Sequence, residues 1–209
     1  MNLFSLFWYF FQGKGGKGGT QSGKGGKGDA GTGSAWTKTD IRVGTIVKAW
    51  PHPDSDKLWC EEIDIGEDTP RLIASGLRPY FSSPEDLEGR RVLVLANLKA
   101  RKLVGFPSHG MVLCASNADH SDVKFVTPPA DAAVGERVMW SENVDDVLGG
   151  GGFEMGEAAA ENKLGKKKMF EKIASHLKTD GSGVVCFLGK PVWTSGGVVT
   201  SPIRDGGVS

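Results

Sequence analysis

From Trp36 to about Trp140 the chain alternates short apolar runs with polar turn residues, a texture of β-strands rather than long helices. The run IRVGTIVKAW, Ile41 to Trp50, reads as a first strand. Gly44 sits in its interior, where a strand can bend sharply or let another backbone approach. After the turn from Pro51 to Asp56 comes KLWCEEIDIG, in which Leu58 and Cys60 share one phase and Ile63 and Ile65 the other. That slip predicts a β-bulge near Glu61 and Glu62. RLIASG, Arg71 to Gly76, is a third strand, and SPEDLEG, Ser83 to Gly89, has the capping serine, early proline and acidic first turn of a short helix. RRVLVLAN, Arg90 to Asn97, and GMVLCAS, Gly110 to Ser116, are apolar on both faces and read as fourth and fifth strands, buried inside and partly covered outside.

Five short strands with a helix between the third and fourth describe an all-β, five-stranded OB-fold barrel over residues 36–140. The acidic, glycine-rich NVDDVLGGGGFEMGE reads as a connection. Beyond it KLGKKKMFEKIASHL, Lys163 to Leu177, places Met169, Phe170, Ile173, Ala174 and Leu177 on one helical face. VVCFLGKPVW follows as two strand-like runs around a Gly-Lys-Pro turn, so residues 141–209 are expected to form a small α+β extension packed on the barrel. Residues 1–35 differ in kind. An apolar start, MNLFSLFWYFF, too short to span a bilayer and without a basic lead, precedes a glycine-dense stretch carrying Lys14, Lys17, Lys24 and Lys27. Glycine at that density cannot offset the backbone entropy of folding, so a disordered start and a flexible, mildly basic linker are expected.

Charge narrows the choice of partner. The 25 Lys and Arg equal the 25 Asp and Glu, so no global positive field draws in a polyanion, and any such ligand must be caught by a local patch. Cys60, Cys114 and Cys186 lie far apart in apolar runs, as free thiols in a reducing compartment do. No Cys-x-x-Cys occurs and the four His are scattered, so no metal or other cofactor is expected.

Three stretches are specific together. DIRVGTIVKAWPHPDSDKL, ASGL and NLKARKLVGFPSHGMVLCAS resemble the tRNA-binding domain of the endothelial monocyte-activating polypeptide II type, over roughly Thr39 to Val138, with KKKMFEKIASHL similar to that family's carboxyl-terminal extension. Such domains occur in auxiliary proteins of multisynthetase complexes and at the carboxyl end of some methionyl- and tyrosyl-tRNA synthetases. The resemblance implies an OB-fold that binds tRNA by shape, without chemistry, and raises its local concentration for a synthetase. The family pattern in the fourth loop is carried by Asn97, Lys99, Lys102, Gly105, Ser108, Gly110 and Met111. The chain departs from it at Leu103-Val104-Gly105, where relatives often have Met-Arg-Gly, and at Pro107, often Lys; Arg101 can restore one charge.

Three cations, Lys99, Arg101 and Lys102, between two apolar runs repel one another unless an anion joins them, which makes this loop the leading candidate for phosphate contact. Arg42 and Lys48 are further candidates, as are Trp50 for stacking, Asn97, Ser108 and His109 in the fourth loop, and Lys166, Lys167 and Lys168 at a helix start, where they oppose the helix dipole. Trp59 reads as packing. The turn His52 to Asp56 reads as self-bonded rather than metal-binding, and Ser108 and His109 as neighbours facing opposite sides rather than a hydrolytic pair. Neither His-Ile-Gly-His nor Lys-Met-Ser-Lys-Ser occurs, so amino-acid activation is not expected. The expectation is a non-catalytic, monomeric tRNA-binding protein of the cytoplasm, partner to an aminoacyl-tRNA synthetase and not to a membrane, with the apolar start leaving an organellar address open. Two rival readings are the carboxyl-terminal piece of a longer methionyl- or tyrosyl-tRNA synthetase and a protein-interaction or cytokine-like module.

Overall fold

The computed structural model describes residues 35–143, 156–166 and 169–209. Strands β1 (Ile41–Pro51), β2 (Trp59–Asp64), β3 (Arg71–Ser75), β4 (Arg91–Leu95) and β7 (Met111–Val112) form an antiparallel sheet in the order β3-β2-β1-β4-β7. β3 lies against β7, nearly closing the sheet into a barrel of the expected OB type. A single 3₁₀ turn, Pro84–Asp86, stands between β3 and β4, opened by Ser83 with Asp86 bonding back to the Ser83 amide.

Gly44 is where β1 lets β2 come close: a side chain there would stand 3.1 Å from the Asp64 carbonyl and from the methyls of Ile63 and Ile65. The bulge lies on β1 and not on β2 as the phase slip predicted. Ile46 pairs with Ile63 and Lys48 with Glu62, which makes Val47 the extra residue. β2 keeps its phase throughout, because Glu61 occupies an inward position between Trp59 and Ile63 and is fully buried. A carboxylate in a core register looks like a slip to any pattern that counts apolar residues.

The segment read as the fourth loop is itself a hairpin, β5 (Arg101–Leu103) with β6 (Phe106–Ser108), in the register Arg101–Ser108, Lys102–Pro107 and Leu103–Phe106. Its two turn residues both have positive φ, Val104 at 48° and Gly105 at 88°, as a type I′ turn requires.

The fifth apolar run divides between two sheets. One residue beyond β7 it continues as β8 (Cys114–Ser116), which pairs with β9 (Val123–Phe125) and with β15 (Gly207–Val208). The carboxyl-terminal segment supplies α1 (Glu161–Lys166), α2 (Met169–Ala174), β10 (Leu177–Thr179), β11 (Val185–Phe187) and β12 (Lys190–Pro191), and extends this second sheet in the order β12-β11-β10-β15-β8-β9, while β13 (Trp193–Thr194) and β14 (Gly197–Val198) pair with each other. The helix ends earlier than its pattern predicts. Phe170 and Ile173 are buried on α2, but Leu177 opens β10 and is buried as a strand residue. The next turn is Leu188-Gly189, again with both φ positive, which leaves Lys190-Pro191 in a strand rather than in the turn.

Two cores result. Ile46, Ile63, Ile73, Val92, Val94 and Phe125 fill the barrel. Ile41, Val43, Leu93 and Leu95 face the other way and merge with Phe170, Ile173, Leu177, Val185 and Phe187 in one cluster, so the carboxyl-terminal segment is what covers the outer face of β1 and β4. Phe187 is its centre: Trp36 stacks on it at 5.1 Å, Trp140 meets it edge-on at 4.7 Å, and the Trp140 indole N–H donates 2.8 Å to the Phe187 carbonyl. Arg137 joins three stretches at once, donating to the carbonyls of Thr37, Thr39 and Gly156.

Candidate nucleic-acid interface

The hairpin β5–β6 is held down along its whole length. At its root the Arg71 guanidinium donates to the carbonyls of Ala96 and His109, one on each side, and the His109 amide donates to the Leu72 carbonyl. The buried Ser108 hydroxyl accepts from the Ala74 amide at 3.1 Å and donates to the Gly110 carbonyl. Leu103 and Phe106 on its underside pack on Leu58 and Ala74 of the sheet. Strand alternation then puts Lys102, between Arg101 and Leu103, on the outward side. Lys99 and Lys102 are exposed and Arg101 is half-buried.

The other candidates fall into distinct groups. Asn97 is buried: its side-chain oxygen accepts from the Asp40 amide, and its NH₂ donates to the carbonyls of Lys38 and Ala159. Its bonding capacity, like that of Ser108, serves the fold. Arg42 makes a forked pair with Asp40, at 2.7 Å for the closest contact, and reaches Glu67 at 3.5 Å. The Asp40 bond, more than its charge, holds the Arg42 guanidinium above its ordinary value. Glu67 is also bound by Arg71 at 2.6 Å, a bond that holds its carboxyl below the ordinary range. Arg42 and Arg71 are thus each tied to a carboxylate, and Arg137, bridged to Arg42 along the backbone, is tied to the carbonyls of Thr37 and Thr39. His109 is exposed beside the hairpin root, on the opposite side of the chain from Ser108. Lys166 ends α1, and Lys167 and Lys168 lie outside the described residues.

At the far end of β1 Lys48 is exposed, with its Nζ 5.4 Å from the centre of the half-buried Trp50 ring. Trp50 meets Phe106 edge-on at 5.9 Å, and Phe106 meets His52 the same way at 6.1 Å. The structure therefore joins Lys48 and Trp50 to the cationic hairpin through Phe106, a residue that the strand pattern did not single out. A bulky aromatic directly after a turn glycine was the available signal. Trp59 is buried, its indole N–H donating to the Phe81 carbonyl, as its packing role predicts. The His52 turn bonds itself, the Asp54 amide donating to His52 Nδ1 and the Lys57 amide to Ser55 Oγ.

Residues 41–137 match the family model "Putative tRNA binding domain". The solved carboxyl-terminal domain of Plasmodium vivax p43 superposes with a TM-score of 0.72 at 34% identity, covering 83% of this chain and 98% of that one. The chain belongs to the tRNA-binding domain family. The model's span takes in all of β1 to β9 and ends at Arg137; the p43 likeness reaches beyond it. Among full-length relatives, a probable methionine–tRNA ligase of Oryza sativa subsp. japonica is 44% identical over 161 residues, 77% of this chain and 18% of that protein. The cytoplasmic tyrosine–tRNA ligase of Xenopus tropicalis is 38% identical over 172 residues, 81% of this chain and 30% of that one. This tRNA-binding domain protein thus spans less than a third of the length of either ligase. Its hairpin cations and its Trp50 all fall inside the matched family span.

Proposed function

We propose that the chain is a non-catalytic protein that holds tRNA by shape and charge and assists an aminoacyl-tRNA synthetase, methionyl or other. The observation that carries this reading is the anchored hairpin: in a chain of the tRNA-binding family, it carries Arg101 and Lys102, with Lys99 two residues before it, and turns Lys102 outward. Charges on a fixed scaffold meet phosphates without first losing loop entropy, and each phosphate met releases condensed counterion. The reading assigns phosphate contacts to these three and to Lys48. It leaves Asn97 and Ser108 to the scaffold and Arg42 to its carboxylates. Among the described residues no three His, Cys, Asp or Glu converge as a metal site, and no helix is long and apolar enough to cross a membrane.

The reading includes a monomer, because the outer face of β1 and β4 is covered by the chain's own carboxyl-terminal segment, so that among the described residues this apolar face is not open to a second copy. Sedimentation at a mass twice that of the chain would end that part of it. The reading as a whole is tested by competition: tRNA is expected to displace a labelled tRNA from the purified chain at far lower concentration than duplex DNA of equal charge does. Equal displacement by the two would reject recognition of tRNA shape.

A second reading has its own support. The matched stretch is a minor part of each ligase, so the chain also fits the tRNA-binding portion of a longer methionyl- or tyrosyl-tRNA synthetase. An immunoblot of the endogenous protein separates the two, since a ligase would run several times heavier than 22.2 kDa.

A further inference from the structure

The hairpin does more than carry charge, because its underside ends in an aromatic rim. Phe106 is half-buried, its base packed with Leu103 on Leu58 and Ala74, and its ring stands at 75° to both Trp50 and His52. His52 is buried and its Nδ1 accepts from the Asp54 amide, so it is a fixed wall rather than a mobile side chain. Phe106 packs against the indole of Trp50 with the two rings near perpendicular and their centres 5.9 Å apart, an arrangement that aromatic pairs prefer. Trp50 itself stays half-exposed at the end of β1.

A half-exposed tryptophan on a protein surface needs an account when it is held this firmly. Its surroundings point to an anion with an apolar plane attached. Lys48 lies over the ring, 5.4 Å from its centre, where a stacked base would displace its ammonium toward the attached phosphate; Glu62 is its cross-strand neighbour on β2, but among the described residues no ion pair holds it. On the hairpin Lys102 faces outward, two residues before Val104 and Gly105 turn the chain back to Phe106. A nucleotide combines those two chemistries, a planar base for the indole and a phosphate for the ammonium groups. A base paired inside a helix offers its faces only to its neighbours in the stack, so within a folded RNA the seat calls for an unpaired base.

We propose that Trp50, propped by Phe106 and flanked by Lys48, is a seat on which one unpaired base of the bound RNA stacks. This rests on the tRNA-binding reading above and adds to it a demand for a single-stranded element, which the hairpin cations alone do not impose. Two parts of a tRNA supply such a base, the unpaired 3′ end and the loops.

The test measures equilibrium binding by the full chain, wild type, Trp50→Ala and Trp50→Phe, to three RNAs: intact tRNA, tRNA trimmed of its unpaired 3′ end, and a blunt RNA duplex. Trp50→Ala is expected to weaken binding to intact tRNA about tenfold, as loss of one stacked base does. Trp50→Phe, which keeps an aromatic face, is expected to stay within about threefold of wild type, and the duplex to bind all three proteins alike. If the alanine effect vanishes with the trimmed tRNA, the seat takes the 3′ end; if it persists there, the seat takes a loop base. The seat is overturned if Trp50→Ala binds intact tRNA as wild type does, or if it loses equally on the blunt duplex. It is also overturned if Trp50→Phe falls as far as alanine while melting like wild type. Failure of the underlying reading looks different: wild type itself would bind tRNA no better than the duplex.

Discussion

The Ser75 hydroxyl donates a 2.6 Å hydrogen bond to the carboxyl of Glu61 inside the barrel, and the other Glu61 oxygen has no partner. Burial pushes this carboxyl up to about 8, against a smaller opposing effect of the Ser75 bond. The folded chain therefore keeps a proton that the unfolded chain releases above its ordinary value of 4.5. Stability is full below that value and falls as pH rises, by about 1.4 kcal/mol per pH unit, until the folded group also ionises near 8. Glu61→Gln removes the proton exchange. Urea midpoints across pH 5 to 9 are expected to fall for wild type and to stay nearly level for the variant; parallel curves for the two would refute a protonated Glu61.

Burial also raises the thiols next to this carboxyl, Cys60 to about 11, with the Glu61 charge as the lesser cause, and Cys114 likewise upward. Both stay as thiols at neutral pH and react slowly. Alkylation of the native chain at pH 7.5 is expected to label Cys186, half-buried on β11, well before either of them. Labelling of Cys114 at the rate of an exposed thiol would show that the barrel opens.

Val104 occupies a left-handed turn position, φ 48°, which a β-branched residue adopts only under strain. A type I′ turn favours Asn followed by Gly, and Gly105 is already in place. Val104→Asn is expected to add about 1 kcal/mol and to raise the melting temperature by about 2–4 °C in a chain of this size. Since the replaced side chain carries no charge, tRNA affinity should hold within twofold. An unchanged or lower melting temperature would mean that the turn is not strained.

Asn97 and Ser108 belong to the family pattern and to the scaffold at once. Ser108→Ala leaves the buried Ala74 amide without its acceptor, and Asn97→Ala strands the Asp40 amide in the same way, each at about 1–3 kcal/mol. Chemical unfolding should show those losses, while the folded fraction binds tRNA as wild type does. Weaker binding at unchanged stability would instead put these side chains in the interface.

How far the chain's residues disclose this structure depends on which force places each one. Strand positions and the early Pro84 turn follow from local propensity and apolar alternation, so β1 to β4 appear in the pattern within a residue or two. Alternation misplaces the bulge because it cannot tell a core carboxylic acid from a break in register, and Ser75, the side chain that bonds Glu61, lies fourteen positions on. The hairpin was hidden for another reason. ARKLVGFPSH has too few apolar positions to show period two, and its anchors, Arg71 and Ala74, come from a distant strand. Leu177 fits a helical face as well as a strand, and pairing with β11 and β15 decides it. The candidate cations were visible as a charge run. Their fixed arrangement was not, nor was Phe106 beneath Trp50, since both depend on β3 and β1 meeting the hairpin in space.

If Lys99, Arg101 and Lys102 hold tRNA phosphates, binding must weaken with salt in proportion to their number. The logarithm of the tRNA binding constant is measured against the logarithm of salt concentration for wild type and for a Lys99→Ala, Arg101→Ala, Lys102→Ala triple variant. The triple variant is expected to bind more weakly at low salt, with a slope shallower by about 3, roughly one for each cation removed. Equal affinity and equal slope for the two proteins would contradict the account and move the tRNA site off the hairpin.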